Sequence, residues 1–322
     1  MTTSYEKMLL SCGADRARAN AAVALDIYAK IAEANKTTGR RWPAWELWHN
    51  NMGKRLSADT LANLQADEII APQIVGGGGE PYIEKLRDLW GRDFRTFLNT
   101  FAETRIGNPR DLANIDGVPI TRSSMRHLYH FGVIKKHAAM FDLSAVNYVE
   151  IGGGFGNLAR IFHWYGTPNR YHIVDFPPNI AIIHYFLSCH GLASEIGVIA
   201  GNRQIWGDPS ARIMLVVADS LDYLATLDNT FLLSTMAMTE IHDEGKWIYI
   251  DNNDHSFVYI YGQNALRGGP NGTSIEHFGL DAEIDNRAFF HALAQRFMPV
   301  DCWENGYYTS FFGKSYGPAE RT

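Results

Sequence analysis

The residues most open to chemical reading form one string, Val149-Glu150-Ile151-Gly152-Gly153-Gly154-Phe155-Gly156-Asn157. It stands where an apolar run ends and a helical pattern begins. Glycines there let the chain turn sharply and let a ligand lie against bare backbone. A dinucleotide loop needs GxGxxG, so that a pyrophosphate can dock on helix N–H groups. The third glycine of that pattern would fall at Asn157, and the spacing is instead GxGxG, through Gly152, Gly154 and Gly156. Glu150 stands two positions before the first glycine. A fixed carboxylate is a poor neighbour for a pyrophosphate and suits a ligand carrying an amino group or a sulfonium.

A second acid follows at the tip of the next apolar run, His172-Ile173-Val174-Asp175-Phe176. A carboxylate in that place can accept both hydroxyls of a ribose, and Phe176 could pack on an adenine face. Read alone, Gly152 to Gly156 is a tight turn and Asp175 a helix cap before Pro177-Pro178. Together they point to a nucleoside with a cationic tail, such as S-adenosylmethionine. A third cluster, Glu240-Ile241-His242-Asp243-Glu244, offers a base. A neutral imidazole is suited to accepting a proton near pH 7. Asp243 and Glu244 also fit an ordinary helix start on dipole grounds.

These residues need elements to position them. From about residue 144, short apolar runs alternate with helical patterns. Strands are expected over 146–151, 171–174, 213–217, 231–236, 257–261, 300–303 and 307–312, and helices over 157–165, 178–189, 221–227 and 281–297. That order predicts an α/β fold with a mostly parallel seven-stranded sheet. Asn305-Gly306 makes its last two strands an antiparallel hairpin. The first part reads as helical, over 14–34, from a cap at Ser57, and over 82–100. Gly76 to Gly79 lacks a preceding strand and reads as a hinge. The expected division is a helical cap over 1–125 and a Rossmann-like domain over 126–322.

The string from Glu150 to Arg160, with Gly107-Asn108-Pro109 and Ser124-Met125-Arg126-His127 upstream and Ser234 to Ile241 downstream, resembles the class I S-adenosylmethionine-dependent methyltransferases. Within them it is most similar to a bacterial sugar O-methyltransferase family. The resemblance covers roughly 105–312. Asn229-Thr230 departs from the Asp often found before the fourth strand, and Ile241 replaces Met. The resemblance implies that Glu150, Gly152, Gly153, Gly154 and Gly156 line the methionine and ribose part of the cofactor and that Asp175 holds the ribose. It implies Asp219 and Ser220 near the adenine amino group, where the alternative is a cap for the helix over 221–227. Arg126 or Arg122 could grip the cofactor carboxylate bidentately, or sit on a solvated helix face.

Methyl transfer from a sulfonium needs an aligned nucleophile and removal of its proton. Glu240 or His242, with Asp243 beside it, is placed at the reacting oxygen. Glu240, Asp243 and Asp219 are oxygen donors of the type Mg²⁺ accepts, but they form no compact ligand motif, and no metal is assigned. His127 and His130 could face the same cleft or form a packing pair. The expected acceptor is a sugar or glycosylated metabolite of natural-product or polysaccharide biosynthesis. The alternatives are an aromatic or peptide nucleophile, or a non-catalytic nucleotide-binding protein of the same fold.

Composition narrows the rest. The chain has 322 residues, 46% hydrophobic and 20% charged, with a net charge of −6. That excludes disorder and gives no general reason to bind nucleic acid or anionic membrane. The longest apolar runs are too short to cross a bilayer and no secretory signal is visible, which places the protein in the cytoplasm. Three cysteines give no disulfide framework. Aromatic residues are abundant, at 12%. Trp42, Trp45, Trp48, Tyr129, Tyr307 and Tyr308 fall outside expected core strands. They suit the faces of a sugar-containing acceptor, with Trp45, Tyr129 and His127 as substrate contacts, and the alternative is packing between cap and core. The cap also suits a homodimer interface or a lid.

Overall fold

The Ala-rich start has no β-branched run to oppose a helix, and α1 spans Ala14–Asn35. The computed structural model describes residues 12–35, 51–72, 82–143, 145–165, 169–241, 243–252, 255–263, 286–305 and 308–316. Ser57 caps α2 (Ala58–Ala62), its hydroxyl accepting the Thr60 N–H at 3.1 Å. The helix expected over 82–100 is two helices, α3 (Tyr82–Trp90) and α4 (Phe94–Thr100). Gly91, at φ +50°, turns the chain between them. A hairpin follows, β1 (Leu112–Ile115) and β2 (Val118–Thr121). Its turn is Asp116-Gly117, at φ +52° and +87°, an Asp-Gly signal that four-residue strands do not reinforce with visible alternation. Thr121 then caps α5 (Arg122–Ala138).

The main sheet is built of β3 (Asn147–Ile151), β4 (Tyr171–Asp175), β5 (Ile196–Ala200), β6 (Arg203–Trp206), β7 (Ile213–Val217), β8 (Thr230–Ser234), β9 (His255–Gln263), β10 (Phe297–Asn305) and β11 (Tyr308–Ser315). Strands β4, β5, β7 and β8 are buried at every position, which suits a sheet covered on both faces. Their order in the sheet is β10-β11-β9-β8-β3-β4-β7-β5-β6. The neighbours from β9 to β5 pair in parallel, whereas β6 and β11 run antiparallel to their neighbours. The expected seven strands are therefore nine. The two unforeseen strands are β5 and β6, joined at Gly201-Asn202, both at positive φ. That Gly-Asn pair is the hairpin signal the sequence reading passed over.

Alternate side chains of each strand enter two separate cores. Tyr148, Tyr171, Ile173, Leu215, Leu233 and Tyr259 face one side, with α1, α3, α5, α6 (Asn157–Tyr165) and α7 (Pro177–Cys189). Val149, Val174, Val216, Leu232 and Val258 face the other, with α8 (Leu221–Leu224), α10 (Asp243–Asp251) and α11 (Asn286–Arg296). Between β8 and α10 lies one short helix, α9 (Ala237–Glu240). Helix α1 packs on α7, where Asn20 donates to Cys189 Sγ at 3.4 Å and the Cys12 thiol lies within hydrogen-bonding range of the same sulfur. Among the described residues no helix is long and apolar enough to cross a membrane.

Candidate functional site

The chain runs from β3 to β4 and out to β5 and β6, returns to β7 between β4 and β5, and then crosses to β8 on the other side of β3. Ligands of such sheets bind outside the carboxyl ends of the strands where the order reverses, here between β3 and β8. The glycine loop occupies that place. Gly152, Gly154 and Gly156 lie at φ +78°, +57° and +88°. A Cβ on Gly152 would come 2.2 Å from Ala237 Cβ, and one on Gly153 would come 2.2 Å from Ile173 Cγ2. The close approach of α9 and β4 thus dictates these two glycines. Ser234 closes the crevice, donating to Ile151 O at 3.1 Å and accepting the Met238 N–H at 3.0 Å. Between them Met236 holds φ +147°, a strained value for a residue with a side chain.

Two buried acids stand beside the loop. Asp175 ends β4, and its Oδ1 accepts from the Phe176 N–H and from Asn179 Nδ2, each at 2.8 Å. Backbone N–H groups of Gly153 and Gly154 also point at this carboxylate. Its Oδ2 is buried and has no partner among the described residues. Burial pushes its carboxyl up to about 6 against the pull of those donors. Glu150 is 1% exposed and accepts a hydrogen bond from the Tyr171 hydroxyl at 3.0 Å. Burial raises its carboxyl to about 8, the Tyr171 hydroxyl draws it back, and the Asp175 charge adds to the rise. Two acids this close to a glycine loop, both biased toward their neutral forms, have a chemical use for a cation or for hydroxyl donors.

The remaining cofactor candidates lie around this pair. Phe176 is half-buried at the start of α7. Asp219 and Ser220 follow β7, where Ser220 is buried and its hydroxyl lies 3.5 Å from the Asn202 N–H. Arg126 and His127 come from the first turns of α5. The His127 ring lies 5.9 Å from that of Phe155 and its Nδ1 is 3.1 Å from Asn157 Nδ2. Tyr129 leaves α5 in another direction. Its ring is 5.5 Å from that of Tyr82, and it lines a cavity of about 820 Å³ between α3 and α5 with Lys85, Lys135 and Asp301. The structure therefore brings His127 to the glycine loop and Tyr129 to the α3 side. His130 is buried, with Nδ1 2.9 Å from the Tyr259 hydroxyl.

Of the proposed bases, the backbone of Glu240 ends α9 and that of Asp243 begins α10. Their side chains and all of His242 lie outside the described residues, as do Trp42, Trp45, Trp48, Tyr307 and Gly76 to Gly79. What surrounds this segment is visible. Lys246 is fully buried and donates to Asn286 Oδ1 at 3.0 Å, and Asn286 Nδ2 donates to Thr239 O at 3.0 Å. A lysine and an asparagine thus anchor the peptide next to Glu240. Sequence reasoning missed both; the signal was a lysine directly ahead of the apolar run Trp247-Ile248-Tyr249-Ile250. It also missed Asn157 and Ser124, which sit against His127. Among the described residues no three His, Cys, Asp or Glu side chains gather as a metal site.

No known family profile matches the chain, and no curated protein matches it. Solved structures with some likeness include the N-terminal domain of EvdMO1 with SAH bound, at 12% identity over 74% of this chain and 100% of that one, with a TM-score of 0.40. The pyocyanin biosynthetic protein PhzM shares 13% over 85% of this chain and 68% of that one, with a TM-score of 0.39. The mitomycin 7-O-methyltransferase MmcR shares 14% over 74% and 69%, with a TM-score of 0.38.

Proposed function

We propose that the protein is an S-adenosylmethionine-dependent O-methyltransferase whose acceptor is a hydroxyl of a small, sugar-containing molecule. The observation that carries the reading is the pair of buried acids beside the glycine loop at the switch point. Asp175 gives Oδ1 to the Phe176 N–H and to Asn179 of α7, and its Oδ2 has no hydrogen-bond partner among the described residues. That leaves an acceptor for a ribose hydroxyl. Glu150 gains from a positive group nearby, which would offset the desolvation that now raises its pKa. A pyrophosphate would instead meet two carboxyls.

When bound, S-adenosylmethionine supplies a methyl group activated by its sulfonium. Glu150, the loop from Gly152 to Gly156, Asp175, Phe176, Asp219, Ser220 and Arg126 would hold it. Glu240 or His242 would take the hydroxyl proton, and Asp243 would orient the imidazole. Anchoring of Thr239 by Asn286 would keep that segment fixed during the displacement.

Calorimetric titration tests the cofactor. S-adenosylmethionine and S-adenosylhomocysteine should bind at micromolar levels and NADH should not. Failure of both nucleosides would refute the reading. Glu240→Ala and His242→Ala should leave that affinity nearly intact, and at least one should cut turnover by about 10²-fold. Mass spectrometry of candidate acceptors for a methyl gain separates sugar from aromatic hydroxyls.

A further inference from the structure

The first turn of α5 and the first residue of α6 meet in a buried chain of side chains whose protons can be placed one by one. It begins at Glu103. Its Oε2 accepts from the Thr121 N–H at 3.3 Å, from the Thr121 hydroxyl at 2.8 Å and from the Ser124 hydroxyl. A carboxylate has no proton to give. Ser124 therefore donates to Glu103 and has only lone pairs left for its other neighbour. That neighbour is Asn157, whose Nδ2 lies 3.0 Å from Ser124 Oγ. The amide must present its NH₂ group there, which fixes which way round it stands. The same Nδ2 lies 3.1 Å from His127 Nδ1. A donor can be met only by a lone pair, so Nδ1 is bare and the imidazole proton sits on Nε2.

The surroundings keep the ring neutral. His127 is buried, and the guanidinium groups of Arg126 and Arg160 act on it in the same direction, holding its pKa well below the usual 6.5. Arg160 is itself fully buried. Its Nη1 meets His190 Nε2 at 3.1 Å, while Nε and Nη2 have no partner among the described residues. Two guanidiniums and an N–H donor make this corner favourable to an anionic oxygen and hostile to an ammonium group.

We infer that Glu103, Ser124 and Asn157 are positioning residues that lock His127 as its Nε2–H tautomer, so that it donates a hydrogen bond to a carboxylate oxygen of the ligand held by the glycine loop. The ligand's identity rests on the methyltransferase reading; the tautomer does not. His127 is accordingly a donor and takes no part in proton transfer. Asn157 also explains the broken glycine pattern. A third glycine at that position would remove the side chain that connects α6 to the relay.

Long-range ¹H–¹⁵N NMR on the full chain reads the tautomer directly, with His127 assigned by its loss in His127→Gln. The ligand-free protein should show protonated Nε2 and bare Nδ1, unchanged from about pH 5.5 to 8.5. A protonated Nδ1, or a ring that titrates near its usual value, would overturn the lock. In Asn157→Asp the new carboxylate accepts where the amide donated, so Nδ1 should carry the proton. Affinity for S-adenosylhomocysteine should fall about tenfold in Asn157→Asp and in Ser124→Ala. His127→Gln, which can present an amide N–H toward the Nε2 position, should keep more affinity than His127→Ala. If Asn157→Asp reverses the ring and affinity is unchanged, the donor role is wrong. If wild-type protein binds neither nucleoside while the tautomer is as stated, the methyltransferase reading has failed and the lock has not. Near-UV circular dichroism separates a misfolded variant from a rearranged one, and Ser124→Ala supplies the gentler perturbation.

Discussion

Glu150 shows how much one side chain can report. Its carboxyl is raised from 4.5 to about 8, chiefly by burial. The unfolded chain holds it near its ordinary value, so the folded state binds a proton more tightly than the unfolded state does. The stability tied to this group is complete below about pH 4.5 and is lost as pH rises through about 8. On linkage the loss is on the order of 5 kcal/mol. Asp175, raised to about 6, adds to the fall in the lower part of that window. The urea midpoint of ligand-free protein should therefore decline from pH 5 to pH 8, and Glu150→Gln should flatten the upper part. Equal slopes in the two proteins would show that Glu150 is not the group responsible. A ligand ammonium group near this carboxyl reverses the preference. Binding of S-adenosylhomocysteine should strengthen with rising pH and release a proton, measured by calorimetry in buffers of different ionisation heat. Sequence could single out Glu150 and Asp175 because one precedes the glycines by two residues and the other ends the next apolar run. It could not tell that both are buried, because burial depends on Tyr171 and on helices far along the chain.

At the scale of elements, the glycine loop is held by its neighbours as much as it could be by a ligand. Gly153 lies against β4 so closely that a methyl group would overlap Ile173. Gly153→Ala should cost about 1–3 kcal/mol, the usual range for overpacking, read as a lowered urea midpoint. Saturating S-adenosylhomocysteine should restore little of it, because the clash is with the core. Loss of binding with an unchanged midpoint would mean that the loop, not the packing, demands glycine. The long elements were legible for physical reasons. Helix α1 has no competing pattern, Ser57 is a strong cap, β7 is an unbroken apolar run, and β3, β4 and β8 each hold adjacent apolar residues at their centres. The hairpins β1–β2 and β5–β6 were not, because Asp116-Gly117 and Gly201-Asn202 are two-residue signals flanked by short strands. The relay to His127 was invisible for a further reason. Glu103, Ser124 and Asn157 come from three separate segments, and only the fold aligns their lone pairs.

Over the whole molecule, composition suggests two parts, a helical cap and a sheet domain, yet the packing does not separate them. Ala24, Ile27 and Ile31 of α1, Leu86 of α3 and Phe97 of α4 share one hydrophobic cluster with Tyr148, Ile173 and Leu215 of the sheet. Helix α7 is buried along nearly its whole length, from Pro178 to Cys189, because α1 covers the side that the sheet does not. Each large apolar side chain buried this way contributes about 1.5–3 kcal/mol. Removing α1 would expose several on α7 at once, more than the net stability of an ordinary domain allows. The aromatic excess has the same explanation where it can be followed. Trp90, Phe97, Phe131 and Tyr165 stack on one another across α3, α4, α5 and α6. They join the first part to the second. The protein should therefore unfold in a single step, with far-UV ellipticity, tryptophan fluorescence and calorimetric heat giving coincident transitions. A chain starting at residue 36 should lose near-UV ellipticity, bind a hydrophobic dye, and bind S-adenosylhomocysteine poorly, since α7 also carries Asn179, which holds Asp175. Two resolved transitions in the full chain, or a cooperative and binding-competent truncated chain, would mean that the cap and the sheet are independent units.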